Sequence, residues 1–318
     1  MKIGFIGVGG IAGNYLGSLK KLGRPVAAVC DIDAGRVGKV AAETGAAAYA
    51  DHREMLSREK LDVVFVAIPP GAHLSQVADA AESGAALFVA KPVALDLETA
   101  RRAQAAISCS QVLNQVGYMA RYSDITQKAR EWIGDRPLGL GMGRFLCRMG
   151  NHPWWGQKVI CGGQMLEQST HVFDLLRYFL GDVEEVQAFG HQGLGSDIAD
   201  FADSTVCNLR FANGAVATVS STCCASVPDG FALELSGRDI YVKLLMDTRL
   251  VGQIDGAAAE FTGQEAGYFR QVEEFLAAVD ANDPGRIRST YADAVRTLAV
   301  TLAANQSLET GKVEKVED

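Results

Sequence analysis

The sequence predicts an α/β protein in which a doubly wound parallel sheet is followed by an α+β domain with a mostly antiparallel sheet. Two observations lead to this prediction. In the first third of the chain, short apolar runs alternate with segments whose apolar residues recur at helical spacing. Beyond about residue 120, short β-rich runs follow one another, with turn signals such as "ANG" between them. We therefore expect two domains, 1–119 and 120–318.

The apolar runs of the N-terminal domain are typical of strands that are buried on both faces. In chain order they are "KIGFIGVG" (2–9), "PVAAVCD" (25–31), "DVVFVAIP" (62–69), "ALFVAKP" (86–92) and "VLNQVGY" (112–118). Helical periodicity follows the first two runs and recurs near 72–83. Strands that alternate with helices in this way imply a parallel sheet covered by helices on both faces.

The C-terminal domain begins with helical patterns near 124–133 and 165–180 and then becomes β-rich. The runs expected to form strands are "VEEVQAFGH" (183–191), "DSTVCNLRF" (203–211), "AVATVSST" (215–222), "FALELSG" (231–237) and "DIYVKLLM" (239–246). Two helices near 266–280 and 290–305 close the chain. This order predicts an antiparallel sheet flanked by helices.

Composition and charge argue against several classes of protein. The net charge of −8, without a long Lys/Arg run, argues against a nucleic-acid partner. No stretch reaches the about 18 apolar residues of a membrane span, and the N-terminus does not resemble a signal peptide. The seven cysteines form no CxxC pair, so we expect buried, reduced thiols and a cytoplasmic protein.

A glycine-rich turn after the first run predicts a dinucleotide site. The segment "GFIGVGGIAG" (4–13) contains a G-x-G-x-x-A motif that follows a strand and opens a helix, as in the Rossmann fold. There the first glycine permits a tight turn, the second lets the backbone approach a pyrophosphate, and the alanine allows close packing of helix and strand. The residues expected at the cofactor are Gly7, Gly9, Gly10, Ile11 and Ala12.

Asp31, at the end of the second run, favours NAD over NADP. A carboxylate at this place accepts hydrogen bonds from a ribose hydroxyl and repels the 2′-phosphate of NADP. Arg36 is close enough in the sequence to leave use of NADP open.

The segment "CGGQMLEQSTHVFD" (161–174) carries Glu167, His171 and Asp174 at offsets of four and three residues. On one continuous helix these three side chains share a face. Three interpretations are open: the wall of a substrate pocket with the imidazole as acid or base, a solvated face with i,i+4 pairs, or a metal site.

Several other side chains are candidates for the site. The aromatic loop "NHPWWGQK" (151–158) brings Trp154 and Trp155, which either stack on the apolar faces of a sugar or pack between the domains. Tyr118 and Arg121 lie near the crossover between the domains, where we expect them to line the pocket. His73 follows the third run and either contacts the cofactor or caps a helix.

Four motifs in order give the chain a family resemblance. After the nucleotide fingerprint come "IPPGAH" (68–73), "AKPVAL" (90–95) and "GGQMLEQSTHVFD" (162–174). With "VGYMARY" and the late "SLETGKVEKV", the chain resembles the glucose–fructose oxidoreductase / inositol dehydrogenase (Gfo/Idh/MocA) family. The resemblance implies a Rossmann domain and a C-terminal domain with a large open sheet, often used for oligomerisation, so a homo-oligomer (dimer or tetramer) is expected.

The resemblance also assigns roles to single residues. Lys91 matches the lysine of the family's Glu-Lys-Pro motif, at the cofactor and the reacting oxygen, and Pro69 and His73 are expected beside the cofactor. His171 matches the general acid/base, Glu167 an acid one turn before it, and Asp174 a second acid that we expect at the substrate. The chain departs from the family pattern at Ala90, which replaces the acid before Lys-Pro. No metal site is implied.

These observations predict an NAD(P)-dependent dehydrogenase acting on CH-OH groups of a sugar, sugar acid or inositol-like polyol. His171 suits the proton transfer that accompanies hydride loss, and Lys91 stabilises negative charge on the substrate oxygen. The expected catalytic residues are Lys91, Glu167 and His171, and the cofactor is NAD, with NADP less favoured. Two alternatives stay open: an NAD-dependent glycoside hydrolase that oxidises transiently and eliminates, and a non-catalytic NAD- or sugar-sensing regulator.

Overall fold

The computed structural model describes residues 1–149, 154–195, 197–227, 229–246 and 248–317. The chain divides into two compact units. The N-terminal unit comprises Met1–Met119 and Tyr268–Val295, and the C-terminal unit comprises Ala120–Gly267 and Arg296–Asp318. As domain limits, 1–119 and 120–318 stay a prediction; the units differ from them in grouping Tyr268–Val295 with the N-terminal segment.

A six-stranded parallel sheet forms the N-terminal unit. Its strands are β1 (Ile3–Ile6), β2 (Val26–Cys30), β3 (Ala47–Tyr49), β4 (Val63–Val66), β5 (Ala86–Val89) and β6 (Asn114–Val116). The helices between them are α1 (Gly10–Lys21), α2 (Ala34–Thr44), α3 (His52–Glu59), α4 (Gln76–Glu82) and α5 (Leu97–Ser110). The strand order β3-β2-β1-β4-β5-β6 is that of the doubly wound fold, as predicted.

Aromatic rings fill the core of this unit. Phe5, Phe65 and Phe88 come from neighbouring strands, and their stacked rings are 4.8 and 5.0 Å apart. Tyr15 of α1 packs on Phe88 at 4.9 Å, and Phe275 of the helix Tyr268–Ala281 meets the same ring edge-on. All five side chains are buried, because helices cover both faces of the sheet. The short strand β3 was not predicted, since its alanine-rich, largely exposed residues carry no strand pattern.

A nine-stranded sheet forms the C-terminal unit, with the order β14-β13-β12-β11-β7-β10-β9-β8-β15. Its strands are β7 (Leu138–Leu146), β8 (Val183–His191), β9 (Ser204–Phe211), β10 (Val216–Thr222), β11 (Phe231–Gly237), β12 (Ile240–Leu245), β13 (Arg249–Ile254), β14 (Ala257–Thr262) and β15 (Glu314–Lys315). Among the described strands of this sheet, β7 and β10 are the one parallel pair, so the predicted mostly antiparallel sheet is confirmed.

The helices of the second half follow the predicted order with two differences: the short helix Lys158–Cys161 was not predicted, and the helix predicted over 165–180 is interrupted. They are α6 (Asp124–Ile133), α7 (Lys158–Cys161), α8 (Gln164–Glu167), α9 (Thr170–Leu180), α10 (Tyr268–Ala281) and α11 (Tyr291–Thr310). The single helix predicted over 165–180 is wrong, because α8 ends at Glu167 and α9 begins at Thr170. No helix in the described ranges is long and apolar enough to cross a membrane.

Glycines in the central strand β7 determine how α9 packs on the sheet. A Cβ atom at Gly143 would lie 2.1 Å from Val172, and one at Gly141 would lie 2.6 Å from Leu176. Both partners belong to α9, so the missing side chains let the helix lie close to the strand. The same glycines weaken the strand signal, which is why β7 was not predicted from the sequence.

Candidate functional site

The glycine loop between β1 and α1 leaves open space in front of a helix N-terminus. Gly7 has φ +86°, and a Cβ there would lie 2.4 Å from the carbonyl oxygen of Ala67, so only glycine fits. A Cβ atom at Gly9 would have Nη1 of Arg36 as its nearest neighbour, at 3.9 Å, and one at Gly10 would meet no atom of another described segment within 4 Å. Because α1 begins at Gly10 with free N–H groups, this space suits a pyrophosphate.

Asp31 is fixed at the edge of this loop. It is 6% exposed, and its Oδ2 accepts the backbone N–H of Val8 at 2.9 Å. Nη1 of Arg36 lies 3.2 Å from both carboxylate oxygens, and the arginine also bonds Asp33, the N-cap of α2. The half-exposed guanidinium therefore places a positive charge beside the acid that the sequence assigns to the ribose.

The segments after β4 and β5 carry the other predicted cofactor residues. Pro69 precedes a 3-10 turn over Pro70–Ala72, and His73 ends that turn. The imidazole of His73 is buried and its Nε2 lies 3.3 Å from the Ile68 carbonyl oxygen. Burial lowers the pKa of His73 to about 4, so the ring is neutral at physiological pH.

Lys91 follows β5 and is partly buried. It is joined to Pro92 by a cis peptide bond. Ala90, in the position of the family's acid, is 3% exposed and belongs to the apolar core of the N-terminal unit. The environment of residue 90 in this chain is therefore apolar, and the lysine stands without an acid directly before it.

A pair of glycines turns the chain into the segment that carries the predicted acid and imidazole. Gly162 ends α7 with φ +80°, and Gly163 precedes α8 with φ +90°, conformations that favour glycine. The carbonyl oxygen of Gln164 then accepts the backbone N–H groups of Gln168 and Ser169, both at 3.0 Å, and the Ser169 hydroxyl at 3.2 Å. This local hydrogen bonding ends α8 before α9 starts.

Glu167 lies at the end of α8 and is 7% exposed. Its Oε2 accepts the indole N–H of Trp155 and the side-chain amide of Gln168. Trp154 and Trp155 are partly buried and pack against a cluster that contains Cys161. The predicted loop "NHPWWGQK" begins with residues 151–153, which lie outside the described residues, so its geometry is known only from Trp154 onward.

His171 lies in the first turn of α9 and is 6% exposed. Its ring is 6.3 Å from the ring of Phe145 on β7 and 6.1 Å from that of Phe231 on β11. These two phenylalanines lie opposite each other in the sheet register. The imidazole is therefore held against two aromatic side chains at the centre of the sheet.

The structure brings Arg121 and Asp174, both predicted at the substrate, into one buried ion pair. Nε of Arg121 donates to Oδ2 at 2.7 Å and Nη2 donates to Oδ1 at 2.6 Å. The hydroxyl of Thr297 donates to Oδ1 at 3.1 Å, and Arg177 donates to that hydroxyl at 2.8 Å. The ring of Tyr178 lies 4.9 Å from the Arg121 guanidinium. The guanidinium of Arg121 and the carboxylate of Asp174 therefore bind each other.

Sequence models of one family match both halves of this arrangement. The model described as "Oxidoreductase family, NAD-binding Rossmann fold" matches residues 1–118, and the "GFO/IDH/MocA C-terminal domain" matches residues 126–242. The chain belongs to the Gfo/Idh/MocA oxidoreductase family. The predicted resemblance, and with it a nicotinamide-dependent dehydrogenase, is thereby confirmed.

Individual members of the Gfo/Idh/MocA family match the whole chain. The myo-inositol 2-dehydrogenase of Thermotoga maritima is 25% identical and covers 100% of this chain and 99% of its own length. Inositol 2-dehydrogenase 2 of Saccharopolyspora erythraea is 28% identical, covering 100% and 96%. The solved structure of levoglucosan dehydrogenase with NADH has a TM-score of 0.89 at 19% identity, covering 100% and 99%. At that identity, the structural likeness establishes the fold alone.

Two further features of this Gfo/Idh/MocA chain, a cavity and its possible metal ligands, do not indicate a functional site. A cavity of about 950 Å³ lies beside Leu61, Gly84 and Leu113, which precede β4, β5 and β6. It is therefore at the opposite edge of the parallel sheet from the glycine loop, where ligands of such sheets do not bind. Within the described ranges, no group of three or more His, Cys, Asp or Glu side chains is arranged to hold a metal ion.

Two residues near the predicted acid were not predicted as site residues. Gln168 donates to Glu167, and Gln164 stands three residues before Glu167 on α8. The i,i+3 spacing of Gln164 and Glu167 was visible in the sequence, but an uncharged amide gave no reason to choose it.

Tyr118, predicted at the substrate, is 1% exposed and belongs to the N-terminal unit.

Proposed function

We propose that this protein oxidises a secondary hydroxyl of an inositol, sugar or sugar acid and passes the hydride to NAD. The observation that carries the proposal is the buried imidazole of His171 and carboxylate of Glu167 on consecutive helices of a chain with an NAD-binding domain. Inositol 2-dehydrogenases among the relatives support the substrate class. Nothing in the relatives named above favours the glycosidase or the regulator.

Three residues have proposed catalytic roles. His171 takes the hydroxyl proton as hydride leaves the carbinol carbon, because imidazole exchanges protons near neutral pH. Lys91 donates a hydrogen bond to the reacting oxygen and stabilises its negative charge. Glu167, fixed by Trp155 and Gln168, accepts a hydrogen bond from the imidazole or from a second substrate hydroxyl. Bound NAD supplies the hydride acceptor.

The predicted substrate residues have different proposed roles. We assign Arg121 and Asp174 to positioning, because their ion pair anchors the helix that carries His171. Trp154 offers a partly exposed indole face on which an apolar sugar face can stack. Tyr118 stays a prediction as a substrate contact.

The proposed cofactor is NAD, with NADP as the less favoured choice. Gly9 and Gly10 leave room for the pyrophosphate, and Asp31 offers a carboxylate for the ribose. Pro69, His73 and the remaining loop residues, Ile11 and Ala12, stay predictions as cofactor contacts. One structural neighbour is described as an NADPH-dependent oxidoreductase, and in this chain Arg36 beside Asp31 supplies a positive charge that suits a 2′-phosphate.

We propose that the protein forms a homo-oligomer through the sheet face that does not carry α9. Register places Leu140, Met142 and Val216 on this face, together with Val206 and Phe189 across β9 and β8. All five side chains are at least 39% exposed, an apolar surface that favours self-association. Light scattering of the wild type should give a multiple of the 33.8 kDa chain mass, and Phe189→Asp with Val206→Lys should give a monomer. A wild type that is monomeric would contradict this proposal.

The experiment for the proposed activity is a substrate panel. Purified protein is mixed with inositols, sugars and sugar acids, each with NAD and separately with NADP, and reduced-nicotinamide absorbance is followed. Lys91→Ala and His171→Gln should lower kcat by about 100-fold or more, as expected for loss of acid–base or oxyanion stabilisation. His191→Gln, which changes an exposed imidazole of the same unit, should keep wild-type turnover. Tight NAD binding with silence across the panel would contradict the proposal.

A further inference from the structure

Gln164 carries a buried amide for which the fold provides no partner. The residue is 3% exposed, and neither Oε1 nor Nε2 has a hydrogen-bond partner among the described residues. Its backbone carbonyl oxygen, in contrast, accepts hydrogen bonds from Gln168 and Ser169. A buried amide without partners destabilises the folded state, and a ligand that supplies those partners would offset that cost.

The position of Gln164 indicates what that ligand is. Gln164 and Glu167 are three residues apart on α8 and lie on one face of that helix. The Glu167 carboxylate already accepts the Gln168 amide and the Trp155 indole N–H. Gln164 is thus the member of the face with free donors and a free acceptor.

We propose that the amide of Gln164 binds a hydroxyl of the substrate that is not oxidised, and so helps to choose among polyols. An amide presents two donors and one acceptor on one rigid plane, and a hydroxyl both donates and accepts. Two adjacent hydroxyls on a sugar or cyclitol ring can bond such an amide together, one donating to its oxygen and the other accepting from its NH2 group. The inference rests on the proposed function, because it concerns the substrate of the same site.

Gln271 provides a matched comparison in the other unit. Gln271 is fully buried, and neither of its amide atoms has a partner in the described part of the chain, but it lies on α10 beside Val272 and Phe275 of the apolar core. No predicted catalytic residue shares its helix. Gln271→Met therefore removes the same chemical group at a place where no substrate contact is proposed.

The test compares wild type, Gln164→Met and Gln271→Met on the polyol that wild type oxidises best. Gln164→Met should lower kcat/KM by about 10- to 100-fold, mainly through KM, which corresponds to the loss of two neutral hydrogen bonds to substrate. Gln271→Met should leave KM unchanged. Deoxy analogues, each lacking one non-reacting hydroxyl, provide the decisive comparison. For each analogue that lacks a contacted hydroxyl, the difference in kcat/KM between wild type and Gln164→Met should shrink, while the other analogues keep the full difference.

Each other outcome overturns the inference in a recognisable way. An equal kcat/KM for wild type and Gln164→Met, or a loss that is the same for every analogue, contradicts a hydroxyl contact. Without ligand, Gln164→Met and Gln164→Leu should unfold at the wild-type temperature or above it, since they remove unbonded polar atoms. If both variants instead lose several degrees or fail to fold, the amide is structural. A wild type that oxidises no polyol contradicts the proposed function itself, and the inference with it.

Discussion

The guanidinium of Arg121 and the carboxylate of Asp174 form a two-point ion pair in which the side chains are 4% and 1% exposed. Folding removes both groups from water, which costs free energy. The short, paired hydrogen bonds between the two groups offset that desolvation cost. Asp174 lies one turn after His171 on α9, and Arg121 lies in a 3-10 turn over Met119–Tyr122. The pair therefore connects the helix of the proposed acid/base to a separate segment of the C-terminal unit.

Removal of one member of this pair should destabilise the protein strongly. Arg121→Met and Asp174→Leu each leave a buried charge without its counterion, which costs about 3–5 kcal/mol in the free energy of unfolding. The double variant should recover much of that loss, since two apolar side chains replace the pair. Urea unfolding of the four proteins gives the coupling free energy directly. Additive losses in the double variant would show that the two charges do not depend on each other.

This ion pair illustrates what the sequence can and cannot predict. The pattern predicted a helix through His171 and Asp174 and the junction that holds Arg121, but Arg121 and Asp174 are 53 positions apart and carry no local signal of contact. The sequence thus indicated Arg121 and Asp174 as separate substrate residues. In the structure their charged groups form an ion pair with each other. Only the packing of the C-terminal unit determines that outcome.

The interrupted helix illustrates a second limit. Periodicity alone favoured one helix over 165–180, because apolar residues continue through the break. Ser169 and Thr170 were a weak signal of a new start, since hydroxyl side chains compete with helical hydrogen bonds. The glycine fingerprint was a strong signal by contrast, because positive φ and close backbone contact at Gly7 exclude other residues.

Cofactor preference should depend on both Asp31 and Arg36. Asp31→Ala removes the acid that repels a 2′-phosphate and leaves the guanidinium beside the ribose site, so the ratio of kcat/KM for NAD to that for NADP should fall by about 100-fold. Arg36→Ala should raise the same ratio by about 10-fold. Asp51→Asn changes the N-cap of α3, which is hydrogen-bonded to neither residue in the described part of the chain, and is the control. If the ratio of kcat/KM for NAD to that for NADP is unchanged in both variants, Asp31 and Arg36 do not determine the cofactor preference.

The neutral imidazole of His73 should make stability depend on pH. The folded-state pKa is about 4 against an unfolded value near 6.5, so below pH 6.5 the unfolded chain binds a proton that the folded chain excludes. Stability is thus complete above pH 6.5 and is lost as pH falls toward 4, by up to about 3 kcal/mol.

His73→Gln should reduce this pH dependence. Urea unfolding of wild type and variant at several values between pH 8 and pH 4.5 measures the difference in unfolding free energy. That difference should be constant above pH 7 and should shift in favour of the variant as pH falls. A difference that is constant over the whole range would show that His73 has the same pKa in the folded and unfolded states.

Trp155 should position Glu167 rather than only fill space. Its indole N–H donates to the Glu167 carboxylate, while its ring packs with Trp154 in the cluster around Cys161. Trp155→Phe keeps an aromatic ring but removes the donor, so Glu167 retains only part of its hydrogen bonding. We expect kcat to fall by about 10- to 100-fold, in line with loss of one hydrogen bond to a charged group, with a much smaller change in KM for NAD.

A control separates packing from positioning at this residue. Trp154→Phe changes the neighbouring ring, 6.4 Å away, without touching the bond to Glu167, and should alter KM for the polyol more than kcat. If positioning is the role of Trp155, the pH profile of kcat should shift in Trp155→Phe and stay unchanged in Trp154→Phe, because only the former alters the hydrogen bonding of the proposed catalytic carboxylate of Glu167. Equal effects of both substitutions on kcat and on the profile would instead assign Trp155 to packing, since loss of ring volume is then the common cause.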